Sequence, residues 1–410
     1  MRKGLMYFDI IVIGMGLSGL MAAKTAVESG MKVLIVGKGM GTLCLFSNTI
    51  DLLGTIPLSM EVEKGLYKWI IIHPEHPYSK VGLENIKKSF LEFNSIFSSH
   101  YSFKNENERN CLIPTPVGTL RPTYMIPNTM VPWNHQEEKR VILGFKGFKD
   151  FYADWIARRL NSRSITLSIP DLIRNEVTQI HLSRCFEKRL FRERIINEIK
   201  KHLQGEKFLG FPAILGIEDP YSVKSDLEQS LEAKIFEIPV LPPSIPGLRI
   251  FNRFKEWLIA KGATFLMGYQ VTKAILKGKR CEGIEVSNAP ITNLYCADRY
   301  ILATGRFIGG GLKATSNSSL FETIFNLPVT KPKNQNEWFR KNFFDDHMIH
   351  EMGILTNKSF QPISNEGDIV LENIWVCGTI LSGHKYLYEK SKEGIEISTG
   401  YMAVKSALEK

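Results

Sequence analysis

Residues 9–13, Asp9-Ile10-Ile11-Val12-Ile13, form a short apolar run rich in β-branched side chains, which predicts a strand buried on both faces. The run enters Gly14-Met15-Gly16-Leu17-Ser18-Gly19 and then a helix-forming segment over 20–29. Gly30 stands at the expected C-cap, and residues 31–36 predict a second parallel strand, completing a β-α-β unit. Residues 39–57 are rich in Gly, Ser, Thr and Asn and read as a loop. From about 61 to 240 the pattern is mixed: helical segments at 83–98, 148–160 and 184–203 alternate with short strands at 141–143 and 211–215. Pro114, Pro116, Pro122, Pro127 and Pro132 mark irregular backbone there. Longer apolar elements then return. Leu248, Phe254, Trp257 and Leu258 share a helical face closed by Gly262, and a strand follows at 264–266. Alternation at 271–276 and 281–286 around Lys277-Gly278-Lys279-Arg280 predicts a hairpin. Buried strands ending in small-residue turns are expected at 297–305 and 373–379, with a last helix reaching Leu408. The predicted organisation is one nucleotide-binding domain from 1–60, 241–312 and 350–410, an inserted domain at 61–240, and a connecting segment at 313–349.

The glycine turn carries the first chemistry. Gly14 permits the tight turn, Gly16 lets the backbone approach a phosphate, and Gly19 lets helix and strand pack closely. The backbone at Leu17, Ser18 and Gly19 then presents N–H groups and the positive end of the helix dipole. The second strand of such a unit usually ends in an acid that binds an adenosine ribose, whereas here it ends in Gly37-Lys38. A lost charge-assisted hydrogen bond is worth about 1.5–3 kcal/mol. The omission therefore favours FMN, whose single phosphate needs only the glycine turn, over FAD; a backbone carbonyl or Asn48 is the alternative holder of a ribose.

Composition narrows the class. At 410 residues, 44% of them hydrophobic and 23% charged, the chain is long enough for two or three globular domains. No run approaches the roughly 18 apolar residues of a membrane span. Arg2-Lys3 precede an apolar run as in a leader, but Asp9 interrupts it, so a cytoplasmic protein is expected. The six cysteines are scattered without a CxxC, which argues against iron–sulfur and structural zinc sites. The net charge of +10 raises nucleic acid or a lipid surface as partners. Its densest stretch, residues 184–207, nevertheless interleaves Glu187, Glu193, Glu198 and Glu206 with the cations and repeats Phe191, Ile195, Ile199 and Leu203 at helical spacing. That pattern predicts an amphipathic helix with a solvated face and no nucleic-acid site.

The glycine turn at 14–19, Ile301-Leu302-Ala303-Thr304-Gly305 and Ile374-Trp375-Val376-Cys377-Gly378-Thr379 together resemble the pattern of two-dinucleotide-binding-domain flavoproteins. The implied fold is α/β, a Rossmann-like flavin-binding domain with an inserted mixed α/β domain. Residues 76–79 (HPYS), 115–121 (TPVGTLR), 144–151 (GFKGFKDF), 241–249 (LPPSIPGLR) and 305–312 (GRFIGGGL) resemble the B subunit of anaerobic glycerol-3-phosphate dehydrogenase, a likeness spanning almost the whole chain. The resemblance implies an FMN flavoprotein working with a second flavoprotein subunit and an iron–sulfur membrane-anchor subunit. It implies oxidation of sn-glycerol 3-phosphate to dihydroxyacetone phosphate, with electrons passed to quinone, at the inner face of the cell membrane through a partner. One departure stands out: that family tends to carry a glycine cluster at the start of the final helix, where this chain has Lys392-Glu393-Gly394-Ile395-Glu396-Ile397-Ser398. Two other readings remain open, a self-sufficient flavin oxidoreductase on another substrate and a non-catalytic flavin-carrying assembly subunit.

Oxidising a secondary alcohol with a flavin requires a base and a cationic anchor for the substrate phosphate. His384, just after the last flavin-like turn, is the expected base, with His76 as a rival. Arg121, Arg249 and Arg306 are the expected phosphate anchors, because each lies beside glycine or proline in a loop-like segment. Gly14, Gly16, Leu17, Ser18, Gly19, Lys38, Ser47, Asn48, Thr49, Thr304, Gly305, Gly378 and Thr379 are the expected cofactor contacts.

Overall fold

The computed structural model describes residues 6–97, 101–105, 107–133, 139–169, 177–316, 319–332 and 334–410; Arg2 and Lys3 lie outside them. Two compact units result. One comprises residues 1–42, 63–96 and 253–410, the other 43–62 and 97–252. Residues 63–96, which the sequence pattern assigned to the insertion, thus fold with the nucleotide-binding unit, whereas 43–60 and 241–252 fold with the other. The helix Leu83–Asn94 explains the first exchange: it buries Phe90 and Phe93, and Phe93 stacks on Phe254.

The nucleotide-binding unit is built on a seven-stranded sheet. Strand β1 (Met6–Ile13) is central, and the four residues that end it are all buried. It pairs in parallel with β2 (Val33–Gly37) on one side and with the strand Ile291–Leu302 on the other. Thr264–Met267 extends the β2 side. The hairpin of Gln270–Lys277 and Arg280–Asn288 joins the far edge of Ile291–Leu302 through its first residues, and Ile374–Val376 takes over that edge at Tyr300–Leu302. Helix α1 (Leu17–Glu28) follows β1 directly. Three parallel strands therefore finish at one level, locked by Ala303 N–H to Ile13 O at 2.9 Å and Cys377 N–H to Leu302 O at 3.0 Å. Ligands in open α/β sheets bind beyond this carboxyl edge.

The second unit has a four-stranded parallel sheet in the order Lys234–Ile238, Phe208–Pro212, Arg140–Phe145, Arg163–Leu167. Its core gathers Val141, Ile142, Leu143, Phe186, Leu209 and Phe211. The helix predicted over 184–203 is two helices, Gln179–Phe186 and Arg189–His202. The break comes at Glu187, whose carboxylate accepts from Ile217 N–H at 2.7 Å and Glu218 N–H at 2.9 Å instead of facing solvent. Arg189–His202 buries Phe191, Ile195 and Ile199 and turns cations outward, the solvated-face arrangement its pattern predicts. Among the described residues no helix is long and apolar enough to cross a membrane, and no group of His, Cys, Asp or Glu is placed to hold a metal.

Candidate functional site

The three glycines of the first turn differ in what surrounds them. Gly14 has φ +119°, and a Cβ there would clash with Ala303 O; a Cβ at Gly19 would clash with Gly14 O. Both are required by close backbone approach within the protein. Gly16 is different: its φ is −71°, and nothing lies within 4 Å of a Cβ built on it. The space belongs to something else. Gly16 is also the N-cap of α1 and supplies no side-chain cap, so amides of the first turn are left for an external acceptor. The cradle fits a phosphate.

The other two turns close on this one. Gly305 has φ +68°, and a Cβ on it would meet Thr379 Oγ1 at 3.6 Å; a Cβ at Gly378 would clash with Ser18 Oγ. Gly378 N–H donates to Thr399 Oγ1 of the final helix, Lys392–Leu408, at 2.8 Å. Leu17, Ser18, Gly378 and Thr379 are all buried, whereas Lys38 is exposed. At the end of β2, Gly37 is closely packed, a contact sequence reasoning could not supply: a Cβ there would lie 2.9 Å from Met15 Cγ.

Beyond the turn at 303–305 lies a polar cluster with unsatisfied groups. Arg306 is 6% exposed. Its guanidinium donates to the carbonyl oxygens of His350, Leu381 at 2.8 Å and His384 at 3.1 Å, and Nη2 lies 3.1 Å from His384 Nε2. It makes no ion pair among the described residues, and its Nε has no partner. Burial pulls its pKa down to about 10, against the upward pull of Tyr386, Glu389 and Glu351. Thr304 Oγ1 and His384 Nδ1 are likewise buried without partners. Three such atoms in one neighbourhood leave polar groups open to a polar ligand.

His384 does not suit the role of general base expected for it. It is 1% exposed, and burial, then Arg306, then His76 push its pKa well below the usual histidine value. With Nε2 accepting from Arg306, the remaining proton belongs on Nδ1, a tautomer assigned from the hydrogen-bond network. Its lone pair is engaged, so the ring is a donor. His76 is engaged too: Nδ1 accepts from Tyr78 N–H at 3.1 Å, which caps a short helix, and Nε2 lies 3.2 Å from Glu389 Oε2. Burial pushes Glu389 upward, but hydrogen bonds from His76, Lys385 N–H and Ser391 outweigh it and hold the carboxyl below its usual value.

The remaining candidates fall in the second unit. Arg249, 4% exposed, donates from Nη1 and Nη2 to the two oxygens of the fully buried Glu237, each at 2.7 Å, and from Nε to Gly216 O at 2.9 Å. Each of its three nitrogens donates within the fold and its charge is paired with Glu237, which does not suit a substrate-phosphate anchor. Asn48, with φ +67°, accepts from Tyr101 OH at 2.8 Å and donates to Glu237 at 3.5 Å. Arg121 bonds Asp51 and donates to Ser47 Oγ at 2.7 Å, and Ser47 Oγ lies 3.4 Å from Thr49 Oγ1. The residue that organises this network, Glu237, carried no signal beyond being an acid inside an apolar strand.

The final helix holds what the sequence marked only as a departure. Lys392 Nζ lies 3.5 Å from Glu393 Oε1 and 4.0 Å from Glu396 Oε2, and both acids are buried.

The sequence of this chain matches the FAD binding domain family over residues 9–394. It belongs to that family. Its cofactor is accordingly a flavin. This flavoprotein is 29% identical to the B subunit of anaerobic glycerol-3-phosphate dehydrogenase of Vibrio cholerae serotype O1 over 430 residues, covering 98% of this chain and 97% of the relative. It is 29% identical to the probable B subunit of the same enzyme in Halobacterium salinarum, covering 98% of each chain. For the B subunit of Aliivibrio fischeri the identity is 28%, covering 98% of this chain and 96% of the relative. The resemblance drawn from the quoted segments is the one these relatives carry.

Proposed function

We propose that this flavoprotein is the B subunit of an anaerobic glycerol-3-phosphate dehydrogenase. In this reading it takes part in oxidising sn-glycerol 3-phosphate to dihydroxyacetone phosphate and passes electrons toward quinone through a second flavoprotein subunit and an iron–sulfur membrane-anchor subunit. The full-length relatives of that name support it, and the observation that carries it is Arg306. A guanidinium held in the interior without a carboxylate is incompletely compensated, and a dianionic substrate phosphate supplies the missing charge, with the partnerless Nε–H as its donor. The three carbonyls and His384 Nε2 hold the fork in place. Nδ1 of His384 and Oγ1 of Thr304 remain to meet uncharged oxygens.

The flavin, when bound, supplies the acceptor for the hydride leaving the alcohol carbon. The amides following Gly16 hold its phosphate, and the turns at Thr304-Gly305 and Gly378-Thr379 line its path. FMN is the proposed form: position 37 offers no carboxylate to grip an adenosine ribose, and a side chain there would press on Met15. One observation favours a second reading, a flavin-carrying subunit whose partner oxidises the substrate: neither buried histidine is free to accept the proton of the hydroxyl.

The test is to purify the chain with its native partners, identify the released flavin by chromatography, and assay glycerol 3-phosphate oxidation with an artificial acceptor in the complex and in the isolated chain. Arg306→Lys should raise KM for glycerol 3-phosphate about tenfold or more in the complex. An unchanged KM removes Arg306 from the substrate site, and activity that stays wholly with the partner selects the second reading.

A further inference from the structure

The start of the final helix carries two buried acids, Glu393 and Glu396. Glu396 is 4% exposed. Its Oε1 lies 3.5 Å from Thr42 Oγ1. The neighbouring Gly41 rests against the cradle: a Cβ built on it would lie 3.2 Å from Gly16 Cα. The carboxyl thus reaches the residue next to the one that packs against Gly16. A helix N-terminus at this point would ordinarily attract an anion. Ser391, the N-cap, turns its hydroxyl to Glu389 and leaves the helix amides uncapped by its side chain. The groups facing Glu396 are Lys392 and Glu393 on its own helix, Thr42 from the loop after β2, and Cys377 and Tyr386 from the segments before the helix. Lys392 is the single cation among them, and it is shared with Glu393.

We infer that Glu396 governs the charge the cradle accepts: it must be protonated for a phosphate-bearing flavin to bind, so binding takes up a proton and weakens as the pH rises. This deepens the flavin reading and rests on it. An ionised carboxylate beside the phosphate is a like charge in a poorly solvated place, whereas a neutral carboxyl is a hydrogen-bond donor there. Burial is the main cause that lifts Glu396 to about 7, with Lys392 opposing and Glu393 assisting. The proton is therefore gained or lost within the physiological range.

The experiment uses the full chain, stripped of flavin and titrated with FAD, FMN and riboflavin between about pH 6 and 8.5, following flavin fluorescence. FAD is the decisive ligand, because its pyrophosphate does not titrate in this range, while a phosphomonoester has a second pKa of about 6. The expected result is an FAD dissociation constant that rises on the order of thirtyfold across that range, as one proton lost near pH 7 requires. Riboflavin, without phosphate, should show a flat profile. Glu396→Gln should bind FAD at the alkaline end as the parent does at the acid end. Calorimetry of the parent chain in buffers of different ionisation enthalpy should count close to one proton taken up at about pH 8, a measurement that needs no variant. Flat FAD binding, no proton uptake, a riboflavin slope equal to that of FAD, or a slope that survives in Glu396→Gln overturns the inference while flavin binding stands. A chain that binds no flavin at any pH, with Glu396 or with glutamine, overturns the flavin reading and this inference with it.

Discussion

Arg249 and Arg306 are equally hidden, 4% and 6% exposed, yet their surroundings are opposite. Arg249 faces Glu237 through two parallel bonds; burial pulls its pKa down, but the carboxylate outweighs it and the net shift is upward. Arg306 faces three carbonyl oxygens and a neutral imidazole, and burial wins. Depth inside the protein therefore does not separate an arginine whose charge is paired from one whose charge is left open. What separates them is whether the protein supplies the counter-charge.

The comparison breaks first at Glu237. Replacing it with Gln leaves a buried guanidinium unpaired, and denaturant unfolding should show a loss of about 3–5 kcal/mol. A loss under about 1 kcal/mol would mean the pair is not what fixes this unit. Arg306→Gln removes a charge that has no such partner. Its stability should fall by about 1–3 kcal/mol as buried carbonyls lose their donor, less than at Glu237, while kcat/KM for glycerol 3-phosphate in the complex falls roughly thirtyfold to more than a hundredfold. A large stability loss with unchanged kinetics would make Arg306 the structural residue of the two.

The same contrast divides the glycines of the first turn. Gly14→Ala forces a Cβ against Ala303 O at a positive φ and should destabilise the chain by about 2–3 kcal/mol. At position 16 an added Cβ meets no protein atom within 4 Å, so Gly16→Val is the converse case. It should unfold as the parent does when flavin is absent and retain no yellow colour, and a variant that keeps its flavin shows that the open side of Gly16 is not the phosphate cradle.

Two buried titrating groups sharpen the comparison through pH. Glu396 has a folded pKa above its unfolded value of 4.5, so its contribution is fully present below 4.5 and is lost as the pH rises through about 7. Glu396→Gln should therefore be more stable than the parent without flavin at about pH 8.5, by about 3 kcal/mol, and equal to it at about pH 4.5. His384 has a folded pKa below its unfolded value of 6.5, so the stability it permits is present above 6.5 and declines as the pH falls below it. His384→Gln should flatten the acid side of the stability profile, and an unchanged acid limb would mean the ring is not kept neutral.

The smallest effect is expected at Gly37. Gly37→Glu presses on Met15 and should cost about 1 kcal/mol, recovered in part by Met15→Ala, which removes the nearest atom. The double variant should then gain affinity for FAD relative to FMN; a preference that does not move shows that position 37 never chose the cofactor.

The strands and turns of the nucleotide-binding unit were legible because each announces itself locally. Ile10–Ile13 is apolar without interruption, Gly14, Gly16 and Gly19 have fixed spacing, and the turns after Leu302 and Val376 repeat the strand-to-small-residue pattern. The unit boundaries were not legible, because residues 63–96 belong where Phe93 finds Phe254, a contact far along the chain that no local period encodes. The kink at Glu187 was hidden for the same reason, since its partners, Ile217 and Glu218, are distant in sequence.

For the candidate site, the sequence by itself determined where backbone must come close and which residue types were on hand: glycines at 14, 16 and 19, arginines at 121, 249 and 306, histidines at 76 and 384. Only the tertiary structure decided what each of them does. It engaged Arg249 with Glu237, left Arg306 without a carboxylate, turned His384 from an acceptor of protons into a donor, and put Glu396 beside Thr42. The physical reason is range. A backbone conformation is set by a residue and its neighbours, whereas a charge takes its meaning from whatever the fold brings within a few ångströms, and in a poorly solvated interior that partner decides both the proton and the role.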